Sequence, residues 1–77
     1  MNNIKYSVLM SVYHREKPGF FDESINSMLN QTIKPDEIVI VKDGPLTPEL
    51  DRVIDKYVAQ DPELFTVVPL EKNLGLG

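Results

Sequence analysis

Cysteine is missing from this sequence, and with it go disulfides, thiolate nucleophiles and cysteine metal sites. Basic charge is scarce as well: 8 Lys and Arg stand against 12 Asp and Glu, for a formal net charge of -4. That balance excludes the basic footprint of a nucleic-acid-binding domain and disfavours an anionic membrane surface. Long apolar runs are absent; none reaches the ~20 residues of a bilayer span. The opening MNNIKYSVLMSVYHRE also lacks the small-residue cleavage site of a signal peptide. The expected location is therefore cytoplasmic, with any membrane association supplied by a longer parent chain. There is a single histidine, His14, and without a second ligand at helical or hairpin spacing it makes no zinc site. The 77 residues suffice for one small core.

What the sequence does contain is alternation. Short runs rich in β-branched residues are separated by stretches with helical spacing, which is βαβαβ order. The first run, YSVLMSV from Tyr6 to Val12, is too continuously apolar for a half-solvated strand and predicts a parallel strand covered on both faces. In PGFFDESINSMLNQ, Phe21, Ile25, Met28 and Leu29 recur at one-turn intervals and leave Asp22, Glu23, Asn26 and Asn30 for water. Pro35 and Asp36 then end that helix region in a turn. The second strand, EIVIVKD, carries Ile38, Val39, Ile40 and Val41 in succession and is expected at the centre of the sheet.

After Asp43 the chain breaks at GPL and restarts with Thr47 as N-cap, Pro48 at the first helical position and Glu49 in the first turn. Leu50, Val53, Ile54, Tyr57 and Val58 form the next apolar stripe, and Pro62 closes it. The third run, LFTVVPLE, has Pro69 inside it, which suits an edge strand. Two right-handed crossovers give the order three, two, one, half of a doubly wound parallel sheet. Ligands in such sheets bind beyond the carboxyl ends of the strands. The segments to examine are therefore SVYHRE, KDGP and EKNLGLG.

Asp43 has two readings: a carboxylate that accepts hydrogen bonds from a ligand's N–H or hydroxyl groups, or a residue that makes an Asx-turn or helps cap the next helix. Asp-Gly is also a hairpin signal, but Pro45 and Pro48 argue against a strand directly after it. In the first segment, Tyr13 can stack on a base and Arg15 can pair with a phosphate; packing and solvation are the plainer roles for each. His14 reads as a solvent-facing loop residue. Gly75 and Gly77 follow the third strand, whereas a dinucleotide-binding glycine loop follows the first, so a nicotinamide enzyme is disfavoured.

YSVLMSVYHRE, then SINSMLNQTIKPDEIVIVKDG, then EKNLGLG together resemble the start of a family-2 glycosyltransferase of the GT-A fold, over essentially the whole chain. SMLNQT followed by DEIVIVKDG is the most specific piece. The resemblance implies a Rossmann-like half-domain, residues 1–77, that binds a nucleotide-diphosphate sugar, usually a UDP sugar. It assigns nucleotide contacts to Ser11, Val12, Tyr13, Arg15 and Glu16, recognition of uracil to Asp43, and the border of the nucleotide to Asn73 and Gly75. His14 departs from a usual asparagine, Lys42 from the first of two acids and Pro45 from a usual serine. Lys42 has two options: to pair with Asp43 or to point to solvent.

The resemblance further implies a hexosyltransferase-type parent that transfers sugar to a glycan or other hydroxyl acceptor, in polysaccharide or surface-glycan biosynthesis. A divalent metal (Mg or Mn) is expected there, bound by an Asp-x-Asp motif. No such pair occurs here: Asp22 falls in the first helix and Asp61 at the wrong end of the sheet. The expectation is an amino-terminal part, truncated before a third helix, with the metal ligands and catalytic base beyond it and no transfer activity alone. Open edges of such a part allow pairing with a second copy. The competing reading is a small α/β interaction or signalling domain; a receiver-type domain needs an acidic cluster after its first strand, where SVYHRE offers only Glu16.

Overall fold

A computed structural model describes residues 5–72. Its elements alternate as the residue pattern predicts: β1 (Ser7–Val12), α1 (Pro18–Leu29), β2 (Glu37–Lys42), α2 (Pro48–Gln60) and β3 (Phe65–Pro69). The strands form one parallel sheet with β2 in the middle. This is the βαβαβ half of a Rossmann-like sheet, with β3 at an edge. Proline ends that strand at Pro69, opposite Lys42, where the ladder stops.

Register decides which side chains meet. Val8, Ile38 and Phe65 lie in one row across the sheet, and Met10, Ile40 and Val67 in the next. These rows face the helices. Phe21 and Ile25 of α1 and Leu50, Ile54 and Tyr57 of α2 are buried with Val12, Ile38, Ile40 and Phe65 in one core, against which the partly buried Val8, Met10 and Val67 pack. Each fully buried Ile or Leu contributes ~1.5–3 kcal/mol relative to exposure.

β1 does not have the expected cover on both faces. Two successive right-handed crossovers in the same direction lay both helices on one side of the sheet. Among the described residues the other side stays open: Leu9 is 72% exposed and Val68 37%. Continuous apolarity in β1 thus reflects two chemically similar faces, of which only one is packed here.

Local chemistry sets the element ends. Thr47 caps α2, its Oγ1 accepting from the Leu50 N–H at 3.3 Å, with Pro48 next in sequence at the helix start. Such a cap contributes about 1 kcal/mol. α1 lacks a side-chain cap and starts at Pro18. Asp36 locks the entry to β2: its N–H donates to the Tyr6 carbonyl at 2.9 Å and its carboxylate accepts from the Tyr6 N–H at 3.0 Å.

Asp22 is not left to water as the spacing suggests. The Tyr57 hydroxyl and the Lys56 ammonium both reach its carboxylate, the latter at 2.7 Å, and join the two helices. The Lys56 hydrogen bond, followed by that of Tyr57, holds the Asp22 carboxyl below its usual 3.8. Burial first, and then Asp22, pushes the Tyr57 hydroxyl up from 10.0 to about 12. Stability from the lowered Asp22 is present above pH 3.8 and is lost as pH falls through its folded value. For the raised Tyr57, stability is complete below pH 10.0 and is lost as pH climbs to about 12. Thermal melts of the wild-type and Tyr57→Phe chains should therefore differ most near neutrality, and the gap should close toward pH 12. A gap that stays constant through that alkaline range would refute the coupling.

Candidate functional site

The carboxyl ends of the three strands converge on two adjacent residues. Lys42 closes β2, and its main-chain carbonyl accepts from the Gly44 N–H and from the Leu70 N–H, each at 2.9 Å. The turn after β2 and the exit from β3 are thus held on one oxygen. The next residue, Asp43, donates its N–H to the carbonyl of Val12 at 2.8 Å and so joins the end of β1. Gly44 has φ 86°, in the left-handed region that glycine enters without the Cβ clash, and this allows the abrupt turn.

Asp43 is 1% exposed, the one buried charged residue among those described. Burying a carboxylate is costly unless hydrogen bonds or an opposite charge compensate. A buried carboxylate at a strand's carboxyl end, where ligands of α/β sheets bind, is a candidate for a functional role.

Ser11 adds a second polar group. It pairs with Val41 in the ladder, and its Oγ is shielded from solvent without a hydrogen-bond partner among the described residues. Buried hydroxyls are nearly always satisfied, so this one is a donor and acceptor in reserve. Val12 contributes differently: its side chain is in the core, and what it offers the strand ends is the carbonyl already engaged by Asp43. Tyr13 to Glu16 form a turn, with the Glu16 N–H donating to the Tyr13 carbonyl at 3.0 Å. Tyr13 is half-buried and meets His14 edge-to-face at 5.8 Å, while His14 and Arg15 are exposed. Ser11, Val12 and Asp43 are thereby brought to neighbouring strand ends. Asn73 and Gly75 lie outside the described residues.

One element of the site escaped the sequence reading. Lys42 neither pairs with Asp43 nor simply points to solvent: its ammonium donates to Asp51 of α2 at 3.0 Å. The two residues are separated by a turn and a helix start, so no period in the sequence connects them. Two surface depressions, of about 280 and 420 Å³, lie elsewhere, on α1 around Phe20 and Glu23. No group of three His, Asp or Glu side chains that could hold a metal ion occurs among the described residues. Nor is any described helix long and apolar enough to cross a membrane.

A parallel βαβαβ sheet is the layout of one half of a doubly wound, Rossmann-like domain. The model of the family "Glycosyl transferase family 2" matches residues 7–77, and the chain belongs to that family. It is 44% identical over 72 residues to the amylovoran biosynthesis glycosyltransferase AmsE of Erwinia amylovora, covering 94% of this chain and 26% of that protein. It is 43% identical over 74 residues to the UDP-Gal:alpha-D-GlcNAc-diphosphoundecaprenol beta-1,3-galactosyltransferase of Escherichia coli, covering 95% and 26%. A glucosyl-dolichyl phosphate glucuronosyltransferase of Haloferax volcanii matches at 43% over 54 residues, 70% of this chain and 17% of that protein. The chain thus spans about a quarter of the length of the first two relatives. No solved structure matches significantly.

Proposed function

We propose that this chain forms the donor-nucleotide side of a glycosyltransferase that moves a sugar from a nucleotide diphosphate, UDP-linked, to an acceptor hydroxyl in polysaccharide or surface-glycan assembly. The observation that carries this reading is Asp43, a buried carboxylate at the carboxyl end of the central strand in a chain of this family. Carboxylate oxygens accept, so Asp43 suits the N–H edge of a pyrimidine. Ser11 supplies a shielded hydroxyl near the end of the neighbouring strand. Tyr13 offers a ring for stacking, Arg15 a cation for phosphate, and Glu16, Asn73 and Gly75 complete the proposed contacts.

In the reaction proposed for the whole protein, the acceptor oxygen bonds to the anomeric carbon as the bond from that carbon to the diphosphate oxygen breaks. The acceptor's proton passes to a carboxylate base, and the nucleoside diphosphate leaves. That base and any Mg or Mn ligands belong to sequence outside residues 5–72. The Escherichia coli relative's name gives a UDP-linked donor and a lipid-diphosphate acceptor, which supports a hexosyl donor and a membrane-associated acceptor for this protein too.

Calorimetric titration of the full natural polypeptide with UDP, CDP, ADP and GDP tests the donor class. UDP should bind at least ~10-fold tighter than the purine nucleotides, the discrimination of about 1.4 kcal/mol expected from one base-specific hydrogen-bonded contact. Equal affinity for all four would refute uridine recognition.

A further inference from the structure

We propose that Lys42 is a positioning residue for nucleotide recognition: its ammonium, held by Asp51, ties the first turn of α2 to the end of β2 and fixes the turn that presents Asp43. The inference rests on the reading of Asp43 as the group that receives the base.

The backbone of this turn is held on its strand side by three bonds: Asp43 N–H to Val12, and Gly44 and Leu70 N–H to the Lys42 carbonyl. Beyond Gly44 the chain leaves through Pro45 and Leu46 to Thr47, the cap of α2. Asp51 lies one turn into that helix, and the Lys42 ammonium bridges back to it at 3.0 Å across nine residues. Lys42 therefore holds both sides of the Asp43 turn, the strand side through its carbonyl and the helix side through its ammonium.

Charge explains why the residue is a lysine. The first turn of α2 carries Glu49 and Asp51, and Asp43 adds a third carboxylate at the adjoining strand end. A carboxylate at position 42 would stand against Asp51 and next to Asp43; a cation there relieves repulsion on both sides. The Lys42 side chain is 23% exposed and that of Asp51 42%, so the pair is screened and its direct effect on stability is small. Its consequence should appear in how well the turn is preorganised for ligand, since a loosened loop must be ordered again on binding.

The test uses UDP calorimetry and thermal melts on the full natural polypeptide carrying Lys42→Met, Asp51→Asn, both together, or the exchanged pair Lys42→Asp with Asp51→Lys. Each single substitution should weaken UDP binding ~3–5-fold, the scale of one exposed ion pair. The double variant should lose no more than either single one, and the exchanged pair, which restores the bridge but sets a carboxylate beside Asp43, should recover only part of the loss. Lys56→Met, which breaks the comparably exposed Lys56–Asp22 ion pair further along α2, serves as the ion-pair control: it should change the melting temperature little and leave UDP affinity unchanged. Asp51→Asn, nearly isosteric and on the helix surface, carries the test should Lys42→Met fail to fold. Unchanged UDP affinity in Asp51→Asn and Lys42→Met, while Asp43→Asn loses binding, overturns the positioning role alone. Unchanged affinity in Asp43→Asn as well overturns base recognition, and the role of Lys42 with it.

Discussion

Replacing Asp43 with alanine should weaken UDP binding by the full natural polypeptide by on the order of 10–100-fold, the loss of one hydrogen bond to a charged group in a desolvated site. The effect should be large because the carboxylate is already dehydrated: at 1% exposure it has little water to give up when a ligand arrives. Desolvation that an exposed residue would undergo at binding has here been met during folding, so more of the hydrogen-bond energy appears as affinity. Asp43→Asn separates charge from shape. It retains volume and one acceptor but presents an amide donor to a base edge that also donates, and it should lose nearly as much. The reading fails if calorimetry shows the same UDP affinity for wild type and both variants while thermal melts show all three folded.

Truncating Ile40 to alanine should destabilise the chain by ~2–5 kcal/mol, a loss comparable to much of the ~5–15 kcal/mol available to a small domain. Ile40 is fully buried in the middle strand, between Met10 of β1 and Val67 of β3, under the helices. A cavity there has neighbours on every side, and paired strands cannot easily collapse into it. Leu9→Ala in the next strand provides the contrast. Leu9 is 72% exposed on the open face, so its loss should stay within ~0.5 kcal/mol. Urea unfolding of the three chains measures both effects. Equal destabilisation by the two substitutions would mean that the open face is packed in solution, by a second copy or by another part of a longer protein.

These expectations show where local pattern and tertiary structure part company. The run Ile38 to Val41 announces a buried central strand because four β-branched residues in succession suit little else, and β2 is that strand. Thr47-Pro48 announces a helix start because cap chemistry is local, and the Leu50 N–H donates to Thr47 as expected. The apolar run in β1 is less informative. Val8 and Leu9 are alike in chemistry, yet one packs against the core and the other is exposed; alternation cannot be seen where both faces are apolar. Asp22 likewise reads as a solvent residue from its helical position, because its partners Lys56 and Tyr57 lie more than thirty residues away.

By itself, the sequence determined the element order, the central strand, the capped second helix and the family, since each depends on residues adjacent in the chain or on their periodicity. It also singled out the strand ends and Asp43, because an acid and a glycine directly after a β-branched run are a local signal. Only the tertiary structure decided which face of the sheet is packed, that Asp43 is buried on a hydrogen bond to β1, and that Lys42 pairs with Asp51 rather than with its neighbour. The physical reason is common to all three: handed crossovers and loop closure bring distant residues together, and a charge takes the partner that geometry places within reach.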